Sequence, residues 1–296
     1  MRRTIYSMLT ILIAVIVGVY IGACVQLYLK QDSFIYKPSR DVLQTPKELG
    51  LDFENVTLKS SNETRLGAWF IPASEPRATL LYCHGNGGNL CDLDTIEFFH
   101  KLHLNVFVFD YQGYGTSEGT PSEANTYADA ESAWRFLTEE KQIPSREIVI
   151  LGRSLGGAIG SWLAQKHAPA ALIIEGAFVS LDKIASDTFP WFPTRFLTRY
   201  SYATGKALDK LECPVLIAHS PSDGVVPYCH GQQLFSEFAR DPKLFVELKG
   251  DHCNGYEVSG PEYTRAVEDL LQIALKQEAP NGLAADLNRE SPSEVK

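Results

Sequence analysis

Between Thr4 and Leu29 the chain carries no charged side chain, and residues 8–29, MLTILIAVIVGVYIGACVQLYL, form an apolar run of 22 positions. A bilayer span needs roughly 20 such residues, and a helix apolar on every side suits lipid better than one face of a core. The pattern predicts a membrane anchor over 1–30. Arg2 and Arg3 precede the run, while Lys30, Lys37 and Arg40 follow it, so counting basic residues alone sets no orientation. The very short N-terminal flank is that of an uncleaved, single-pass signal anchor, with the bulk of the chain on the extracytoplasmic side. Two other readings stand beside it. A cleaved signal peptide has a shorter apolar region, about 7–15 residues. IGAC at 21–24 also resembles a lipoprotein processing site, with Cys24 as the lipidated residue.

After a polar connector over 31–48 the pattern changes to short runs. FENVTLKSS and TRLGAWFIP flank Asn62 and Glu63 and read as a hairpin. ATLLYC, NVFVFD, EIVILG, ALIIEG, PVLIAH and KLFVEL are continuously apolar, as strands buried on both faces are. Helical stretches near 90–102, 122–140, 155–167, 228–240 and 261–276 separate them. Alternating strand and helix predicts an α/β fold over 49–277: a mostly parallel sheet of about eight strands covered by helices on both faces. The longer connection over 177–212 holds FPWFP and reads equally as a helical flap over a site or as an ordinary crossover. The tail over 278–296 is polar and expected to be disordered.

Composition narrows the function classes. A net charge of −9 lacks the basic footprint of a nucleic-acid binder. The six cysteines include no Cys-x-x-Cys pair, so no structural zinc site is expected. Cys229 and Cys253 both follow candidate site loops; a disulfide between them is permitted by the even count but not required.

The chemistry concentrates in a few loops. Gly152-Arg153-Ser154-Leu155-Gly156 sits between a strand and a helix-like sequence, the setting in which Gly-x-Ser-x-Gly presents a nucleophile at a strained turn. Its neighbours must lack side chains for that turn to close. YCHGNGGN at 82–89 follows another strand and can form a nest of amides for an oxyanion; Asn86 and Leu155 are the candidate backbone donors. No Gly-Lys-Ser/Thr follows, which argues against a nucleotide loop. A serine needs a base, and the base an orienting acid. In the chain order Ser, Asp, His, the candidates are Asp223 in HSPSDGVVP and His252 in ELKGDHCNG, each just past a strand. Glu175, at the end of the strand after Ser154, is the alternative acid. His84 and His219 read as structural, and His230 as a residue on a surface helix.

Taken together, LLYCHGNGGN, FDYQGYGTSEGTPSE, ILGRSLGGAIG, SPSDGVVP and LKGDHCNG, in that order, resemble the α/β-hydrolase superfamily over about residues 50–275. FIYKP at 34–38 after a hydrophobic N-terminus is similar to its membrane-anchored, lid-poor branch of Bem-type and depalmitoylase-like hydrolases. The resemblance implies Ser154 as nucleophile, Asp223 as acid and His252 as base. It implies an ester or thioester hydrolase working through an acyl-enzyme without cofactor or metal, on a small acyl ester, a thioester or an acylated protein. Cys253-Asn254 stands where members often have Asn-Asp after the histidine. An aminopeptidase or amidase using the same residues, or a silent membrane-anchored binding protein, are the alternatives.

Overall fold

The computed structural model describes residues 2–238 and 240–276; the tail expected over 278–296 lies outside them. Eight strands form the main sheet: β1 (Glu54–Lys59), β2 (Arg65–Ile71), β3 (Ala78–Cys83), β4 (Leu104–Phe109), β5 (Ile148–Arg153), β6 (Ala171–Glu175), β7 (Val215–His219) and β8 (Lys243–Glu247). Their order across the sheet is β8-β7-β6-β5-β3-β4-β2-β1. β2 runs antiparallel to both of its neighbours, and the other pairings are parallel. The fold is therefore α/β, with a mostly parallel sheet and helices on both faces.

The unbroken apolar runs follow from that layering. In β3, Leu81 and Cys83 join one core cluster while Leu80 and Tyr82 join the other. The first cluster is closed by Ala130, Ala133 and Trp134 of the helix Glu123–Arg135 and by Leu155, Ile159 and Leu163 of the helix Leu155–Lys166. The second is closed by Leu93, Ile96 and Phe99 of Leu93–Lys101 and by Val267, Leu270 and Leu271 of Pro261–Lys276. Each fully buried aliphatic side chain contributes about 1.5–3 kcal/mol, so a strand with both faces covered gains from every residue and has no use for alternation.

Strand order reverses at β3, which lies between β4 and β5. At such a switch point the loops leaving adjacent carboxyl ends splay apart and leave a crevice. The loop after β3 carries His84–Asn89, and the one after β5 carries Ser154.

The N-terminal helix Arg2–Leu29 buries none of its residues and has the length and composition of a candidate membrane span. Beyond it, the connector holds a short helix, Gln31–Ile35, and then Lys37–Pro38, which pairs in parallel with Gly87–Gly88. The 177–212 connection breaks into three short helices, Leu181–Thr188, Thr194–Leu197 and Thr204–Leu208.

Candidate active site

Ser154 closes β5 and caps the following helix with φ 53° and ψ −117°, a region a side-chain-bearing residue holds only where its surroundings over-determine it. Two hydrogen bonds do so: Ser154 N donates to Glu175 O at 2.8 Å, and Gly157 N donates to Ser154 O at 2.9 Å. The flanking glycines are sterically required. A Cβ at Gly152 would lie 2.4 Å from Gly156 O, and one at Gly156 would lie 2.0 Å from Cys83 O. The hydroxyl is thereby held at the N-terminus of a 12-residue helix, where the helix dipole favours developing negative charge.

The loop after β3 is fixed from several directions. Tyr111 Oη donates to His84 O at 2.9 Å, and Tyr114 Oη and Lys37 N both donate to Asn86 O, at 2.8 and 2.9 Å. Asn86 Nδ2 donates to Ile35 O at 2.9 Å. Leu155, the first residue of its helix, has an amide with no intrahelical acceptor. Asn86, Ser154 and Leu155 border one cavity of about 350 Å³, otherwise walled mainly by apolar side chains such as Phe178, Ile184 and Val226. His84 is buried in contact with Tyr111, its ring centroid 4.4 Å away, and its Nδ1 lies 2.8 Å from Gly85 O. Those contacts agree with a structural role.

Past β7, Asp223 Oδ1 accepts the amides of Val225 and Val226, each at 2.8 Å. Its Oδ2 lies 2.6 Å from His252 Nδ1 and 3.4 Å from His219 Nε2. Burial pushes the Asp223 carboxyl up, but hydrogen bonds from His219, His252 and the Val226 amide overrule it and hold the group well below the usual carboxylate range. Gly176 (φ +53°), just past β6, makes room for the pair: a Cβ there would sit 3.3 Å from His252 Nδ1 and 3.4 Å from Asp223 Oδ2. Ser154 N is bonded to the residue before that glycine, which brings the Ser154, Asp223 and His252 loops to one edge of the sheet. Among the described residues neither Ser154 Oγ nor His252 Nε2 has a hydrogen-bond partner; such contacts often close only when substrate is bound.

Glu175 takes no part in that constellation. Its Oε2 receives Arg153 Nε at 2.7 Å, and its Oε1 receives Tyr263 Oη. Arg153 Nη1 also donates to Asp92 Oδ2 at 2.8 Å and to Thr95 Oγ1 at 2.9 Å, and the guanidinium lies 4.3 Å from the Tyr256 ring centroid. Arg153, a free position in Gly-x-Ser-x-Gly, thus binds the turn to the helix Leu93–Lys101, to the end of β6 and to Tyr256, four residues past His252. Only its basic character hinted at this. His230 corrects the surface reading: it is buried, with Nδ1 accepting from Val179 N at 3.1 Å and Nε2 lying 2.9 Å from Asp187 Oδ2. Asp187 belongs to the helix Leu181–Thr188, so the buried ring ties that helix down. Cys229 and Cys253 are both exposed free thiols. No group of three or more His, Cys, Asp and Glu among the described residues is arranged to hold a metal ion.

Comparison with known proteins identifies the family. A family model described as alpha/beta hydrolase fold matches residues 78–206. The chain is 33% identical to the alpha/beta hydrolase domain-containing protein WAV2 of Arabidopsis thaliana, over 86% of this chain and 92% of that one. It is 32% identical to protein bem46 of Schizosaccharomyces pombe, over 68% and 72%. Among solved structures it is similar to an esterase of Pyrococcus furiosus, with a TM-score of 0.68 at 18% identity, covering 81% of this chain and 98% of that one.

Proposed function

The chain belongs to the α/β-hydrolase superfamily as a hydrolase of the Bem type, and on that premise we propose that it is a membrane-anchored serine hydrolase of carboxylic esters or thioesters. The observations that support the reading are a strained Ser154 at the N-terminus of a helix and, past neighbouring strands, an imidazole whose Nδ1 is held by Asp223 at 2.6 Å. With Nδ1–H given to the carboxylate, Nε2 is left with its lone pair and can act as a base.

Ser154 Oγ attacks the acyl carbonyl carbon as its proton passes to His252 Nε2. The carbonyl oxygen becomes an oxyanion, which the amides of Leu155 and Asn86 stabilise. As the tetrahedral centre collapses, the bond to the leaving alkoxide or thiolate breaks and the imidazolium returns the proton to it. Water, deprotonated by the same nitrogen, then attacks the acyl-serine; as the bond to Oγ breaks, the imidazolium returns its proton to Ser154 Oγ and the carboxylic acid is released. Asp223 stays ionised throughout and fixes the imidazole tautomer. No step calls for a cofactor. The N-terminal helix, by its length and unbroken apolarity, supports attachment to a membrane; we propose that the catalytic domain lies on the extracytoplasmic side. Residues 1–30 serve as the anchor and 49–277 as the catalytic domain, joined by 31–48.

The test is hydrolysis of p-nitrophenyl acetate and butyrate by the full-length chain, alongside labelling by a fluorophosphonate probe. Ser154→Ala is expected to abolish both. Equal rates in the two proteins would remove the assignment.

A further inference from the structure

Resting on the hydrolase reading above, we propose that the cavity at Ser154 is an acyl-chain site that opens onto the bilayer. The anchor helix forms one of its walls, so the substrate is a long-chain acyl group already resident in the membrane.

The cavity joins two regions with no other evident reason to meet. Ser154 and Leu155 border one part of it. Leu27, in the last turn of the apolar helix, borders another, and Phe189 and Leu197 of the 177–212 connection complete it. That connection is fastened to the anchor rather than standing free. The Tyr20 ring stacks on Phe192 at 5.6 Å and 3°, and Tyr20 Oη donates to Trp191 O at 2.9 Å. Gln31 Nε2 donates to Leu197 O at 2.7 Å, and Gln31 Oε1 accepts from Arg199 N at 2.8 Å.

Depth follows from helix geometry. Tyr20 precedes Leu29 by nine residues, about 13 Å along the axis at 1.5 Å per residue. If the apolar run occupies the hydrocarbon layer, the flap tip at Trp191 and Phe192 enters it too. Trp191 is 85% exposed and Phe196 84% exposed, a poor arrangement in water but a suitable one for rings that face lipid. Apolar side chains thus line the cavity from Leu27 at the helix end through Phe189 and Leu197 to Leu155 beside Ser154. A soluble short-chain ester has no use for such a path. An acyl chain can enter it without crossing water, with its carbonyl arriving at the polar end. The shared chemistry is the chain; an oxygen ester on a glycerolipid and a thioester on a lipidated peptide both present it.

The test uses the full-length protein in phosphatidylcholine vesicles containing acetyl, octanoyl or palmitoyl substrates. One arm uses glycerol esters and the other cysteine thioesters of a peptide. Ser154-dependent kcat/KM is expected to rise about fourfold for each methylene that the cavity buries, in one arm or both, and the arm that responds identifies the source. Leu27→Trp, which obstructs the wall, is expected to cut the palmitoyl-to-acetyl ratio about fifteenfold, the worth of roughly two buried methylenes. A chain-length profile that is flat in both arms, or a ratio unmoved by Leu27→Trp, overturns the acyl-site proposal and leaves the hydrolase reading standing. Loss of all Ser154-dependent turnover, acetyl included, overturns both. Independently of activity, brominated-chain phosphatidylcholine should quench tryptophan emission of the wild type and lose most of that effect in Trp191→Phe. Equal quenching in the two proteins overturns the proposed lipid contact.

Discussion

His252 Nδ1 lies 2.6 Å from Asp223 Oδ2, while the other oxygen of that carboxylate takes the amides of Val225 and Val226 at 2.8 Å each. The carboxylate is thus held by its own loop as well as by the imidazole. Asp223→Asn keeps the shape but offers the ring a wrong partner at that oxygen. The expected outcome is a fall in kcat of about 10⁴, measured with p-nitrophenyl butyrate, with circular dichroism unchanged. A fall of less than tenfold would assign the acid elsewhere.

The same contacts set a pH dependence. Since hydrogen bonds hold Asp223 below the usual carboxylate range, against the upward push of burial, its contribution to stability is present above the unfolded-state value of about 3.9. It is lost as pH falls toward the lower folded-state value. Thermal melts at pH 7 and pH 3 should show a smaller drop for Asp223→Asn than for the wild type.

Asp129 runs the other way. It is buried, and burial lifts its carboxyl to about 6 despite hydrogen bonds from the Gln112 side chain and amide and from Ser60. Stability from this group is fully present below about 4 and is lost as pH rises through about 6. A shift of that size corresponds to roughly 2–3 kcal/mol. The Tm of the wild type relative to Asp129→Asn should therefore fall between pH 4.5 and pH 7.5; a constant difference would contradict the raised value.

Glu175 separates stability from chemistry. It sits at a strand end, where the sequence alone makes it a rival acid, yet it is spent on Arg153 and Tyr263. Removing one partner of a buried ion pair costs about 3–5 kcal/mol, so Glu175→Gln should lower Tm by about 10 °C. Turnover per folded molecule, normalised by fluorophosphonate labelling, should change less than threefold. A large loss of turnover with Tm unchanged would reopen the choice between Glu175 and Asp223.

Much of this arrangement was legible in the sequence because its signals are local. A strand buried on both faces must be apolar throughout, so β3 to β7 announced themselves as runs. The Ser154 turn needs its glycines within two or three residues, so it too reads as a motif. What stayed hidden depends on pairs far apart in the chain. His230 meets Asp187 across 43 positions and Arg153 meets Asp92 across 61, and neither neighbourhood carries a pattern that announces the other. The docking of Lys37–Pro38 on Gly87–Gly88 was masked for another reason: a two-residue ladder gives no periodicity, so 31–48 read as plain connector.

Gly156 tests whether the turn is as tightly built as its contacts indicate. A Cβ there would meet Cys83 O at 2.0 Å and His84 O at 2.6 Å. Both are backbone carbonyls of the strand and loop that carry Asn86, so relief requires moving the candidate oxyanion donors themselves. Gly160, one turn further along the same helix, is the control: its Cβ would meet the Ile150 Cγ2 side-chain atom at 3.0 Å, which can yield, and alanine there gains helix propensity of up to about 1 kcal/mol. Gly156→Ala should destabilise by at least about 3 kcal/mol, the upper end of ordinary overpacking, and should lose fluorophosphonate labelling. Gly160→Ala should stay within about 1 kcal/mol of the wild type and keep its labelling. Thermal melts paired with probe labelling measure both. If the two variants behave alike, the close approach of helix and nest at Ser154 is not what holds the turn.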